Sequence, residues 1–228
     1  MFNQFTILGE RCSGTHFVQY AISQNFPLKY ATSFKKHFFG HSDDVYSKDD
    51  IKNTLFICVV RDPVEWVDSF YKRLHHVPHE NKQTAKAFCH NEWYSIYEEG
   101  PKNGDEILED RNMITQERYK NILELRKVKH DYFLNVMKTK VKYFLLLRYE
   151  DLRDDYENTL SAIKTQFNLS QSCEEFKKIA KYKGTYTALY NKKPIMLSDE
   201  IQEYIRQNVD AEQETTLGYS IGKPRFPL

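Results

Sequence analysis

The sequence predicts an α/β domain built on a central, mostly parallel sheet flanked by helices. The runs Phe5–Leu8, Leu55–Val60 and Val141–Leu147 are short, apolar and β-prone, and apolar residues at helical spacing follow each of them. Repeated strand-loop-helix units of this kind give a parallel sheet, whose strands read as continuous apolar runs because both faces are covered. A chain of 228 residues and 27.2 kDa is long enough to bury such a core, so one domain over residues 1–228 is expected.

In the first unit, Phe5-Thr6-Ile7-Leu8 stops at Gly9, and Thr15 to Asn25 carries Phe17, Tyr20 and Ala21 at helical spacing. The second strand ends at Val60, and after Arg61-Asp62 comes Pro63, suited to a helix's first turn, with Trp66, Phe70 and Leu74 every fourth residue beyond it. The third strand, Val141 to Leu147, runs into Arg148-Tyr149-Glu150-Asp151-Leu152, and Tyr156, Leu160, Ile163 and Phe167 mark its helix. His75 to Asn112, with the turn-rich Gly100-Pro101-Lys102-Asn103-Gly104, reads as an insertion between the second and third units. A helix from about Asn121 to Lys138 shows Ile122, Leu125, Val128, Tyr132 and Val136 along one face. Two further helices are expected, one starting near Ser198 and one from Asp210 to Leu217, stopped by Gly218. Ligands of parallel sheets bind outside the carboxyl ends of the strands, so the loops after Leu8, Val60 and Leu147 are expected to converge.

Composition narrows the function classes. Lys and Arg number 33 against 32 Asp and Glu, a net charge of +1, which supplies no global field for nucleic acid or an anionic membrane. Hydrophobic residues make up 40% and aromatics 14%, as in a globular chain, and the mean hydropathy of −0.69 with no long apolar run argues against a membrane span. Met1 to Gln4 leads straight into the first strand without the features of a secretory leader. Cys12, Cys58, Cys89 and Cys173 are scattered, as in neither a disulfide framework nor a zinc site, so a reducing cytoplasm is the expected compartment. His75-His76 with His79 lacks Cys or carboxylate partners at structural spacing, and no metal is expected.

Two loops are suited to anions. Gly9-Glu10-Arg11-Cys12-Ser13-Gly14-Thr15 has G-x-x-x-x-G spacing between strand and helix, where backbone N–H groups and the helix N-terminus cradle phosphate. A nucleoside triphosphatase loop continues with Lys and then Ser or Thr, whereas this one continues Thr15-His16. Arg61, after the second strand, offers a planar fork, and Ser69 adds a hydroxyl eight residues later. A ligand-free glycine turn and a structural salt-bridge Arg are the plainer alternatives.

Together these motifs resemble the sulfotransferases that use 3′-phosphoadenosine-5′-phosphosulfate (PAPS). The family's first motif, typically P-K-S-G-T-T-W, is similar to Arg11-Cys12-Ser13-Gly14-Thr15-His16-Phe17. Its R-x-P with a Ser eight residues after the Arg is matched by Arg61, Pro63 and Ser69, and its later Y-E-D-L by Tyr149 to Leu152. The motifs keep the family's order across about two thirds of the chain.

The resemblance implies a P-loop-like phosphate site in which Arg11, Cys12, Ser13, Gly14, Thr15 and His16 surround the 5′-phosphosulfate, with Phe17 in place of the adenine-stacking Trp. Arg61 and Ser69 would hold the 3′-phosphate, and Tyr149 would lie near the adenine. Where the family has a Lys at the departing phosphate this chain has Cys12, so Arg11 is the expected cation and Cys12 a small loop residue. Lys35-Lys36-His37-Phe38 resembles the family's K-T-H-L stretch, which makes His37 the expected base, with Lys35 beside it and His41 as second choice. Lys183-Gly184 or Lys223-Pro224-Arg225 would close over the 3′-phosphate. The implied activity is transfer of SO₃ from PAPS to a hydroxyl or amine of a small molecule or saccharide, releasing adenosine 3′,5′-bisphosphate without a metal. A small-molecule or nucleotide kinase and a non-catalytic nucleotide-binding module are the alternatives.

Overall fold

The computed structural model describes residues 2–40, 48–179 and 194–221. Strand β1 (Gln4–Gly9), helix α1 (Thr15–Asn25) and the two-residue strand β2 (Lys29–Tyr30) come first, and α2 (Lys48–Asn53) leads into β3 (Thr54–Val60) and α3 (Pro63–Tyr71). The insertion carries the short α4 (Ala85–His90), and α5 (Ile122–Asp131) passes through a π-helical turn at Tyr132–Met137 into α6 (Lys138–Lys140). Strand β4 (Tyr143–Arg148) is followed by α7 (Tyr149–Asp154), α8 (Tyr156–Phe167), α9 (Asp199–Asn208) and α10 (Ala211–Thr216).

The strands pair in the order β2-β1-β3-β4, and every pair is parallel. The chain steps from β1 to β2 on one side and to β3 on the other. Strand order therefore reverses between β1 and β3, and the carboxyl ends of these strands, beyond Gly9 and Val60, are where sheets of this kind take their ligands.

Period-two alternation assigns the two faces. Leu55, Ile57 and Val59 of β3 pack with Val18, Ala21 and Ile22 of α1 and with Leu160 and Ile163 of α8. Phe56, Cys58 and Val60 pack on the other side with Tyr132, Phe133 and Met137 of the π-helical turn and with Leu217. A further cluster joins Trp66 and Phe70 of α3 to Trp93 and Tyr119 of the insertion and to Ile201 and Ile205 of α9.

Two expectations are refined. Tyr149 to Asp154 is helical from the first residue after β4, with Glu150 and Asp151 in its first turn, where acids meet the positive end of the helix dipole. The irregular segment extends past Asn112 to Asn121, which caps α5 by accepting from the N–H groups of Leu123 and Glu124. Antiparallel bridges Trp93–Tyr119 and Ile96–Glu106 zip the two arms of this segment together. Among the described residues no helix is long and apolar enough to cross a membrane.

His130 of α5 is buried, its Nδ1 has no hydrogen-bond partner, and burial holds its pKa well below the ordinary histidine value. The folded protein thus declines a proton that the unfolded chain accepts below about pH 6.5, so His130 makes stability fall as pH drops through that value. Urea unfolding from pH 7.5 to 5 is expected to show a flatter pH dependence for His130→Phe than for the wild type. An unchanged slope would contradict the buried, neutral assignment.

Candidate functional site

The loop joining β1 to α1 is shaped by its glycines and its neighbours. A Cβ on Gly9 would stand 2.9 Å from Ser13 Oγ, Thr15 Cγ2 and the Val59 carbonyl oxygen, so β1 closes on β3 and the loop together only with glycine there. Gly14 has φ +95°, and a Cβ would lie 2.2 Å from Cδ2 of Tyr149, whose ring therefore rests on the loop backbone. Cys12 also has positive φ, at 64°. Ser13 donates from its N–H (3.1 Å) and its Oγ (2.7 Å) to the Glu10 carbonyl, and Trp66 Nε1 donates to the Arg11 carbonyl at 2.9 Å. Gly14, the N-cap of α1, offers no side-chain acceptor to the first-turn N–H groups, and that turn carries no acid.

The second loop docks onto the first. Arg61 Nη1 donates to the Cys12 carbonyl at 3.1 Å, while Arg126 Nη2 holds the Arg61 carbonyl at 2.9 Å. Asp62 caps α3 by accepting from Val64 N–H (3.0 Å) and Glu65 N–H (2.9 Å). Its own N–H donates to Glu150 Oε1 of α7 at 3.0 Å, which ties in the end of β4. Burial pushes the Glu150 carboxyl above its ordinary value, and Tyr219 Oη donates to its second oxygen at 3.0 Å. The three strand ends expected to converge are joined by these bonds.

Arg11 goes elsewhere than the resemblance implies. Its side chain is 1% exposed, and Nη2 donates to Asp110 Oδ2 and Ser95 Oγ, both at 2.8 Å, with the His76 carbonyl 3.4 Å from Nη1. Lys129 of α5, equally buried, bonds to Asp110 Oδ1 and lies 2.7 Å from Glu10 Oε1. Two carboxylates and two cations thus form one closed cluster at the end of β1. Burial raises the Glu10 pKa, opposed by Lys129. Burial pushes Asp110 the same way, but Lys129 and Arg11 overcome it and hold that carboxyl below its ordinary value. From the sequence, Asp110 reads with Asp105, Glu106 and Glu109 as part of a solvated face, whereas the fold buries it to 1% exposure against two cations; Lys129 carried no such reading. The signal for Lys129 was a cation on the apolar stripe of α5, one turn after Leu125.

Lys129 Nζ also donates to the His37 carbonyl at 2.8 Å, and the Gly9 N–H donates to the Lys36 carbonyl at 3.0 Å. The segment that follows β2 is therefore laid against the end of β1. His37 Nδ1 lies 2.6 Å from the Gly9 carbonyl oxygen. A carbonyl only accepts, so Nδ1 carries the proton and Nε2 presents its lone pair. Burial, together with the nearby charges of Arg11, Lys36 and Lys129, holds the His37 pKa well below the ordinary histidine value. The imidazole is neutral at neutral pH and has the form of a base. Lys35, expected beside it, makes an exposed contact with Glu109 of the insertion at 3.4 Å.

Of the remaining expected residues, Phe17 and Arg61 lie against Tyr149. Its ring is 2% exposed, with Phe17 edge-on at a centroid distance of 5.8 Å and the Arg61 guanidinium carbon 4.5 Å from its centroid. Thr15 is buried and His16 partly buried in the first turn of α1. Ser69 is partly buried on α3, one turn beyond Glu65. His41, Lys183-Gly184 and Lys223-Pro224-Arg225 lie outside the described residues. Among the described residues no group of three or more His, Cys, Asp or Glu is placed to hold a metal ion.

Removing one member of a buried charge cluster leaves an uncompensated charge, at a cost of about 3–5 kcal/mol. Lys129→Met is expected to lose that much in urea unfolding. Adding Glu10→Gln, which rebalances the charge, should recover a large part of the loss; simple additivity of two destabilising changes would contradict the coupling. No protein-family model matches this chain, and no curated protein matches it.

Proposed function

We propose that this protein transfers the sulfuryl group of PAPS to an acceptor hydroxyl or amine and releases adenosine 3′,5′-bisphosphate. One observation carries the reading: an imidazole is bonded through Nδ1 to the carbonyl of Gly9, the residue that opens a loop suited to anions, which leaves the unprotonated nitrogen at Nε2. The order of the sequence motifs supports it, as does the α1 N-terminus, whose N–H groups lack a side-chain cap and attract negative charge.

In this reading the acceptor oxygen or nitrogen bonds to sulfur while its proton passes to His37 Nε2. The bond from sulfur to the bridging oxygen breaks, and its electron pair stays on the 5′-phosphate. The loop from Cys12 to His16 and the α1 dipole receive that growing charge, which fixed donors stabilise best when water is excluded. Phe17 and Tyr149 flank the adenine, and Arg61 with Ser69 holds the 3′-phosphate. Arg11 has a positioning role, since Asp110 and Ser95 engage its guanidinium. The acceptor is a small molecule or saccharide, no metal takes part, and cytoplasmic location fits cysteines that are all free.

A second reading, a nucleotide-binding module without turnover, is favoured by the Arg11 placement alone, because it removes the loop's own cation from the departing phosphate. Labelled PAPS offered with a library of acceptors separates the two. A kinase would instead be stabilised by ATP with Mg²⁺ rather than by adenosine 3′,5′-bisphosphate.

Two substitutions test the assignments. Arg61→Ala is expected to weaken adenosine 3′,5′-bisphosphate by roughly ten- to a hundred-fold and to leave 5′-AMP little changed, since the lost contact is a charge-assisted one. Equal weakening of both nucleotides, read by calorimetry, would make Arg61 a purely structural staple of Cys12. His37→Ala should keep donor affinity while lowering turnover by about 10² to 10⁴, the contribution of a positioned general base. Retention of most activity would remove His37 from that role.

A further inference from the structure

We propose that Arg61 and Arg153 form a two-pronged clamp for a phosphomonoester dianion, and that Glu65 fills this clamp as an internal competitor in the free protein. The proposal rests on the reading above only in taking the dianion to be the 3′-phosphate of the nucleotide. Arg61 Nη2 and Arg153 Nη1 converge on one atom, Glu65 Oε2, at 3.5 and 2.6 Å. The three side chains are only 10%, 5% and 12% exposed, in the order Arg61, Arg153, Glu65. Both guanidinium carbons lie over the Tyr149 ring, 4.5 and 5.5 Å from its centroid. That ring rests on Gly14, so the clamp stands one aromatic ring away from the loop.

An unused donor, rather than net charge, marks this as a ligand site. Two guanidinium groups in a nearly dry place repel each other, and the single buried carboxylate between them neutralises only one, while the other is balanced from an exposed position. Asp154, which balances the second, is 59% exposed and holds Arg153 from the solvent side. Arg61 Nε is buried and has no partner, leaving a donor unused at the clamp. A phosphomonoester carries two charges and three acceptor oxygens and suits two planar forks better than a carboxylate does. Ser69 stands one turn beyond Glu65 on α3, at the spacing that puts two residues on the same helix face. Glu65 sits in the first turn of α3, where the helix dipole favours its charge after it swings out.

An internal competitor lowers apparent affinity by the fraction of time it holds the site. Calorimetric titration of the purified full chain with adenosine 3′,5′-bisphosphate and with 5′-AMP reads this directly. Glu65→Gln should tighten the bisphosphate by about fivefold or more and Arg153→Lys should weaken it by about tenfold, with 5′-AMP unchanged in both. Unchanged or weaker bisphosphate binding by Glu65→Gln, or an unaltered preference in Arg153→Lys, overturns the clamp. Should either variant fail to fold, the exposed Asp154→Asn decides: loss of its hold on Arg153 should raise the preference for the bisphosphate about two- to fivefold, and no change refutes the proposal. Wild-type protein that binds both nucleotides equally refutes the PAPS reading instead. The clamp then stands or falls on inorganic phosphate, which must raise the melting temperature of Glu65→Gln more than that of the wild type.

Discussion

Four charges sealed at the end of β1 organise this protein. Glu10 and Arg11 leave the central strand directly, Asp110 arrives on the insertion and Lys129 on α5, and their side chains are all 2% exposed or less. Stripping water from such groups is costly, and only pairing with good geometry offsets it. A slip of the insertion or of α5 would leave a charge buried alone. The sheet end, the insertion and α5 are thereby held in one mutual arrangement, which packing of apolar side chains alone would leave less sharply defined.

The candidate site inherits its rigidity from that cluster. Lys129, already bonded to Asp110, also holds the His37 carbonyl, while the Gly9 carbonyl accepts a hydrogen bond from the imidazole and the Gly9 N–H donates to the Lys36 carbonyl. The loop above is pinned by Trp66 to the Arg11 carbonyl and by Arg61 to the Cys12 carbonyl. In the proposed reaction the base and the anion-binding loop would thus be carried by one framework, as a site must be when reacting atoms are to meet within a few tenths of an ångström.

The sheet was legible because β3 is seven consecutive buried residues and because helical spacing follows each long strand. Strand β2 was not, since two residues carry no periodicity. The helix boundary at Tyr149 was hidden because its signal is the pair Glu150-Asp151 rather than an apolar stripe. Of the site, Gly14, Arg61 and Tyr149 were readable as motif residues, and the structure joins them through contacts no motif states: a ring on a glycine and a guanidinium over that ring. Arg11 was read as a cation but not as one bound for Asp110, which lies 99 residues away in sequence. Ion pairs between distant segments leave no local pattern, so their destinations emerge only from the fold.

The proposed chemistry requires His37 to be a neutral imidazole with its proton on Nδ1, held by its bond to the Gly9 carbonyl and kept neutral by burial and the charges around it. Nitrogen-15 NMR of the histidine side chains across pH 5 to 8 measures both properties at once. His37 is expected to show the Nδ1–H tautomer and to stay neutral well below the ordinary histidine pKa of about 6.5. A His37 that protonates near that value, or that carries its proton on Nε2, would contradict the proposed chemistry.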